Sequence, residues 1–391
     1  MTIDRRALIG AGLGAGLGAT MAAEALAQSV SQGNAVSEVS APARPEPTAK
    51  YRVPFAVVGL DHAHIYSITD ALIRGGGVLT AFHAANPAQV ATFRKRYGDV
   101  RLARSEAEIL DVKAIKLVAG APIPDLRAPL GIRAMRAGKD FLSDKPAITT
   151  LDQLAQVRAA VKETGRKFAV MYSERLEVPA AVMAGDLVQQ GAIGRVVQTI
   201  NIAPHRVSAP SRPAWFWDKA RYGGILTDIG SHQADQFVFY TGTKRARVVA
   251  AQTGNLSYAD HPAFEDFGDM TVVGDGGTGY IRVDWFTPDG LPTWGDGRGF
   301  LLGTEGYIEL RKYIDVAGRP GGNHLFIADK KGVRYMDCSK VPLPFGPQFI
   351  ADVVQRTSVA QDQEGALLAA ELVLTAQKNA TRPMLAQGEK A

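Results

Sequence analysis

The sequence predicts an α/β fold: an N-terminal Rossmann-type dinucleotide-binding domain, then a C-terminal α+β domain with a large, mostly antiparallel open sheet. Three observations carry this. Between Phe55 and Tyr172, short apolar runs alternate with helical stretches, as in a parallel sheet covered on both faces. Beyond Arg195, short strands follow one another through Gly/Asp/Pro turns, as in an antiparallel sheet with one open face. The 391 residues, 46% hydrophobic and 21% charged, suffice for two domains with proper cores.

Before the first domain come two segments of other character. Asp4-Arg5-Arg6, the apolar run Ala7 to Ala23 and Ala25-Leu26-Ala27 read as a signal peptide over 1–27, of twin-arginine type. The run is short and Gly-rich, so no stable membrane insertion is expected once it is removed, and the mature chain is expected in the periplasm. Residues 28–50, rich in Ser, Ala and Pro, read as a flexible arm or linker. Net charge is only +5, without a long Lys/Arg block, which argues against a nucleic-acid partner. A single cysteine, Cys338, excludes an intrachain disulfide.

The expected dinucleotide-binding domain spans 51–172. Phe55 to Val58 is its first strand, ending at Gly59; Val78 to Phe82, Ile115 to Ala119, Asp140 to Leu142 and Phe168 to Tyr172 follow, with helices between them. Ser105-Glu106-Ala107-Glu108 and Thr150-Leu151-Asp152-Gln153 are capping boxes opening two of those helices. Ligands of such sheets bind at the carboxyl ends of the strands. The expected cofactor contacts are therefore Gly59, Leu60, Asp61 and His62 after the first strand, Ala84 and Asn86 after the second, Ala121 and Pro122 after the third, and Asp144 and Lys145 after the fourth.

The first turn, Gly59-Leu60-Asp61-His62-Ala63-His64, keeps one glycine of G-x-G-x-x-G. Gly59 can make the tight turn, and the helix start can attract a pyrophosphate. Asp61 and His64 replace the other two glycines. The acidic residue expected on the ribose is missing from His83-Ala84-Ala85-Asn86-Pro87, with Arg94 a distant candidate for a ribose phosphate. The cofactor is thus NAD or NADP without a choice between them. Asp61, His62 and His64 also offer metal-ligand chemistry, but a helix start splays them, and no metal site is expected.

The second domain is expected over 173–345, with a helix from Val178 to Gln190 and strands at Arg195 to Ala203, Arg247 to Gln252, Met270 to Val273, Tyr280 to Trp285, Phe300 to Leu302, Tyr307 to Leu310 and Leu325 to Ala328. Residues 346–391 supply late helices, Gln348 to Arg356 and Gly365 to Asn379, expected to pack back on the first domain. Within the second domain, Gly223 to Phe237 reads as an amphipathic helix. Ile229, Ala234 and Phe237 form its apolar side; Asp228, His232 and nearby Asp235 form the other. A carboxylate beside an imidazole suits proton transfer from a substrate hydroxyl. Trp215, Trp217 and Tyr222 precede this helix and offer aromatic faces for sugar rings.

Gly138-Lys139-Asp140-Phe141-Leu142-Ser143-Asp144-Lys145-Pro146, Gly223-Gly224 with Asp228-x-x-x-His232, and the domain order together resemble the glucose–fructose oxidoreductase, inositol dehydrogenase and rhizopine-catabolism (Gfo/Idh/MocA) family over nearly all the chain after Tyr51. Asp144 stands where that family has Glu. The resemblance implies an NAD(P)-dependent oxidoreductase acting on a sugar CH–OH group. It implies Lys145 polarising the hydroxyl, His232 as base, Asp228 orienting it, and Arg175 as a substrate contact beside Asp235. An exported enzyme meets no replenished nucleotide pool, so the cofactor is expected to stay bound and be recycled. Two other readings share these residues: a redox-neutral glycosidase or lyase passing through a keto-sugar, and a non-enzymatic sugar-binding protein. A homo-oligomer, dimer or tetramer, is expected through the open sheet face.

Overall fold

A computed structural model describes residues 36–384. The expected signal segment and residues 28–35 of the expected arm lie outside the described residues. Strand β1 (Ser37–Ser40) belongs to the second of two sheets. The first sheet has six parallel strands: β2 (Val53–Leu60), β3 (Gly77–His83), β4 (Arg101–Leu102), β5 (Leu117–Ala121), β6 (Asp140–Asp144) and β7 (Phe168–Met171). Their order is β4-β3-β2-β5-β6-β7, so the chain reverses direction across the sheet between β3 and β5. That reversal leaves a crevice at the carboxyl ends of β2 and β5. Strands β5, β6 and β7 are buried at every position because helices cover both faces, which is why they read as unbroken apolar runs. Thr150 Oγ1 accepts the N–H of Gln153, and Ser105 Oγ accepts that of Glu108, so both capping motifs open helices.

The second sheet has nine strands in the order β1-β15-β14-β13-β12-β8-β11-β10-β9. They are β8 (Val196–Pro204), β9 (Ala246–Gly254), β10 (Phe267–Gly274), β11 (Thr278–Asp284), β12 (Arg298–Gly303), β13 (Tyr307–Arg311), β14 (His324–Asp329) and β15 (Gly332–Asp337). Only β1–β15 and β8–β11 pair in parallel. Alternate residues of β10 to β13 are buried, so one face meets helices and the other leaves Leu302 and Tyr307 exposed. Helix Phe345–Gln355 packs on helix His64–Arg74 of the first domain, and helix Gln363–Asn379 packs on Leu151–Thr164 and on Gly230–Thr241.

Two expectations are corrected. Residues 36–50 are not a free linker: β1 runs beside β15 with Ser37 opposite Arg334 and Ser40 opposite Asp337, and Arg44 meets Asp186 at 2.5 Å. Composition shows the lack of large apolar side chains; it does not show the backbone pairing that orders the segment. The stretch Gly223 to Phe237 is not one amphipathic helix either. A single turn, Ile225–Asp228, and a longer helix, Gly230–Thr241, meet at Ile229. Every residue from Gly230 to Val238 is buried, the polar ones included. Gly224 starts the first turn at φ +91°, a backbone conformation that favours glycine.

Candidate active site in the interdomain cleft

A cleft of about 490 Å³ separates the carboxyl edge of the first sheet from the second domain. Its wall carries Asp61, His62, Lys145, Glu174, His205, Asp228 and His232, and three of the chain's four tryptophans, Trp215, Trp285 and Trp294. Volume and lining suit a small polar molecule with an apolar face.

Lys145 follows β6 and is 4% exposed. Its Nζ donates to Asp228 Oδ1 at 3.0 Å and to Asp228 O at 3.3 Å, joining the two domains across the cleft floor. Burial pushes the Asp228 carboxyl up, but the Lys145 ammonium outweighs it and the pKa falls below the usual carboxylate range. Asp228 therefore partners Lys145, not His232 as expected; the break at Ile229 turns the two side chains apart. His232 is 2% exposed, and its Nδ1 has no hydrogen-bond partner among the described residues. Burial holds its pKa well below 6.5, against the opposing pull of Glu174, so the ring is a neutral imidazole.

Asp144, expected to touch the cofactor, is fully buried beneath the loop that carries Lys145. Its Oδ1 accepts the Lys145 N–H at 2.7 Å and faces His64 Nδ1 at 3.0 Å. Its Oδ2 lies 3.0 Å from Arg127 Nη2 and 2.7 Å from His62 Nδ1, both ion-pair contacts without hydrogen-bond alignment. Arg127 further donates to the carbonyls of Pro122 and Lys145. Burial favours the neutral acid, yet the guanidinium and imidazoles outweigh it, so Asp144 stays ionised. His62 is pushed down to about 4 by burial and by His64. The splaying expected of this turn is corrected: His62 and His64 converge, with ring centroids 4.2 Å apart, and Asp61 stays out of the group. A buried carboxylate that is hydrogen-bonded to the Lys145 N–H and faces His64, with the Arg127 guanidinium and His62 in ion-pair contact, ties the first turn to the Lys145 loop.

The nucleotide end of the crevice fits a dinucleotide. Gly59 sits at φ +82°, and a Cβ there would lie 2.7 Å from Pro122, so the turn needs glycine. Helix His64–Arg74 starts without a side-chain cap; the Ile65 and Tyr66 N–H groups donate to the His62 and Ala63 carbonyls, and the positive end of the helix faces the crevice where an anion would sit. Leu60 ends β2, and Ala121 O accepts the His62 N–H, so these residues set the turn's shape. Ala84 leaves space at the end of β3, while Asn86 Oδ1 caps helix Pro87–Tyr97 through the Ala88 N–H at 2.9 Å.

Four expected substrate contacts lie outside the cleft. Arg175 and Asp235 form a buried pair, Nη2 to Oδ1 at 2.9 Å, with the Arg175 guanidinium over the Phe239 ring at 4.3 Å. Arg175 faces a separate cavity beside Arg44 and Asp186. Asp235 lies about one turn beyond His232 on a helix buried all round, so its burial is structural. Trp217 stacks on His261 with centroids 3.8 Å apart, and the Tyr222 hydroxyl accepts the Glu265 N–H in the core. Trp215 does line the cleft.

Several site residues escaped the sequence reading. Glu174 accepts from Lys312 Nζ at 2.8 Å and from Gln233 Nε2 at 2.9 Å, and Lys312 also donates to Gln236. Burial raises the Glu174 pKa, but Lys312 more than reverses that, so it faces His232 as an anion. His205 follows β8 and is pushed down to about 4, chiefly by burial. Glu174 adjoins Arg175, so the right segment was in view; Lys312, far along the chain, left no signal. Arg127 was signalled only by its place after the third strand.

The sequence family "Oxidoreductase family, NAD-binding Rossmann fold" matches residues 53–172, and the Gfo/Idh/MocA C-terminal domain matches residues 182–309. A crystal structure from Erwinia carotovora atroseptica SCRI1043, named only as an oxidoreductase, is 46% identical with a TM-score of 0.82, over 85% of this chain and all of that one. Levoglucosan dehydrogenase, solved with NADH and levoglucosan, shares the fold at 19% identity and TM-score 0.70, over 84% of this chain and 98% of that one. Among curated relatives, inositol 2-dehydrogenase 2 of Saccharopolyspora erythraea is 24% identical over 68% of this chain and 75% of its own length. D-xylose dehydrogenase of Paenarthrobacter nicotinovorans is 24% identical over 38% of this chain. The chain spans 39% and 57% of the lengths of the first two curated relatives it matches. With both family domains in order and a full-length relative at 46% identity, the chain belongs to the Gfo/Idh/MocA family of oxidoreductases.

Proposed function

We propose that the protein is an NAD(P)-dependent oxidoreductase acting on a CH–OH group of a sugar or sugar derivative. The observation that carries this is the meeting of Lys145 from the first domain with Asp228 from the second, at 3.0 Å, in a cleft that His232 also lines. Asp228 aims the Lys145 ammonium. The ammonium then stabilises a developing alkoxide on the substrate oxygen. His232, a neutral imidazole lining the cleft, takes the hydroxyl proton. Trp215, Trp285 and Trp294 supply faces for the apolar C–H side of a sugar ring. When bound, the nicotinamide supplies the hydride acceptor.

The leader-like N-terminus supports export by the twin-arginine route to the periplasm, and with it a cofactor held through turnover and recycled by a second substrate. The same segment favours equally a redox-neutral glycosidase that returns the hydride to its own substrate. The open sheet face carrying Leu302 and Tyr307 is the surface we assign to homo-oligomer formation.

Protein purified without added nucleotide is expected to release one NAD(P) per chain on denaturation, read by absorbance and mass. Lys145→Ala is expected to lower kcat by about 10²–10³. Unchanged turnover in that variant removes the catalytic assignment. Release of an aglycone from a chromogenic glycoside, without net nicotinamide change, selects the redox-neutral reading.

A further inference from the structure

We propose that the substrate carries a carboxylate, as a uronic acid does, and that Arg212 binds it; this rests on the oxidoreductase reading above. The buried cations in and around the cleft each have an anion. Lys145 has Asp228, Arg127 has Asp144, Lys312 has Glu174 and Arg175 has Asp235. Arg212 breaks the pattern. It lines the cleft, is half-buried, and has no carboxylate within ion-pair distance among the described residues. Neighbouring Arg206 reaches only Asp289, at 3.7 Å on an exposed side chain.

The Arg212 guanidinium is held in place. Nε donates to Val207 O at 2.5 Å and Nη2 to Arg206 O at 3.2 Å. Its plane lies over Phe216 at 4.4 Å and Trp285 at 5.0 Å. These contacts occupy the Nε–Nη2 side of the fork. The Nη1–Nη2 edge is left to make two parallel hydrogen bonds, the geometry that suits a carboxylate. Arg212, Lys145 and Asp228 line the same cleft. A ring whose hydroxyl lies at Lys145 and His232 can present an acid group to Arg212 while stacking on tryptophan. A fixed cation without an internal anion costs folding free energy that a bound anion offsets.

The test uses the full-length protein saturated with cofactor. kcat/KM is measured for D-glucuronate and D-galacturonate, for D-glucose and D-galactose, and for D-glucose 6-phosphate. Binding is read in parallel by calorimetry. Uronates are expected to exceed the neutral sugars. In Arg212→Gln the uronate-to-neutral ratio falls by roughly 10- to 100-fold, the loss of a charge-assisted hydrogen bond, and Arg212→Lys recovers part of it. Thermal unfolding of both variants checks that they fold. Equal use of neutral sugars and uronates retains the oxidoreductase and overturns the carboxylate. A preference for the phosphate, or an Arg212→Gln effect on cofactor affinity in place of the uronate ratio, also overturns it. Uronate that binds through Arg212 without nicotinamide reduction overturns the oxidoreductase reading and leaves the anion site standing.

Discussion

Acid is expected to weaken the fold through His205, and the amount can be worked from its surroundings. In an unfolded chain a histidine titrates near pH 6.5; in the cleft wall His205 is pushed down to about 4. The unfolded form therefore takes up the proton first. This contribution is fully present above about pH 6.5 and is lost as pH falls toward 4. At pH 5 the binding polynomials differ by a factor of roughly 30, or about 2 kcal/mol at 1.36 kcal/mol per decade. Glu174 and Asp228 favour the charged ring while Lys145 opposes it, and burial outweighs all three. The assay is thermal or denaturant unfolding at pH 7 and pH 5, for the wild type and for His205→Asn. Asparagine can still donate to Ala203 O, which His205 Nδ1 faces at 3.1 Å. Subtracting the two proteins cancels the titrating groups not coupled to His205, including Asp235 and Glu177, whose raised pKa values act in the opposite sense. The wild type should lose about 2 kcal/mol more than the variant between the two pH values. Equal losses would refute the claim that burial keeps His205 neutral.

Further outcomes follow from the same geometry. Glu174→Gln leaves buried Lys312 without a compensating negative charge and should cost about 3–5 kcal/mol in denaturant unfolding. It also removes the negative charge opposing His232 desolvation, so the acidic limb of kcat/KM against pH should move to lower pH. Asp235→Asn strands the Arg175 cation and should cost about 3 kcal/mol in stability, with KM for the sugar unchanged because neither residue lines the cleft. Gly59→Ala meets Pro122 at 2.7 Å and a φ of +82°, so a loss of about 1–3 kcal/mol with weaker nucleotide binding is expected, read by unfolding and by equilibrium titration.

Period and punctuation made the architecture readable. Strands β5, β6 and β7 are buried on both faces, and their unbroken apolar runs say so directly. Strands β1, β4 and β15 were missed for different reasons. Strand β4 has two residues, β1 lies in a Ser/Pro-rich stretch, and β15 follows β14 through a turn of charged residues. The Lys145 loop and the Asp228–His232 segment were found by their local patterns. How their side chains pair was not, because pairing across the chain depends on packing. Helical spacing put Asp228 beside His232; the break at Ile229 gave Asp228 to Lys145.

The first turn shows why missing glycines need not mean lost chemistry. In the G-x-G-x-x-G arrangement, small residues let backbone and helix approach closely. Here His64 stands at the third of those positions, with His62 two residues before it, and both turn inward to Asp144, which also accepts the Lys145 N–H and lies against the Arg127 guanidinium. Imidazoles thus tie the nucleotide turn to the loop that carries Lys145, where glycines would only make room. A substitution in the turn should therefore be felt at Lys145 as well as at the cofactor. His64→Gly, which restores the third glycine of the motif and removes the hydrogen bond to Asp144, is predicted to loosen the Lys145–Asp228 contact and to lower kcat more than it changes nucleotide affinity. If nucleotide affinity alone changes, the turn and the loop act independently, and the hub at Asp144 has no part in positioning Lys145.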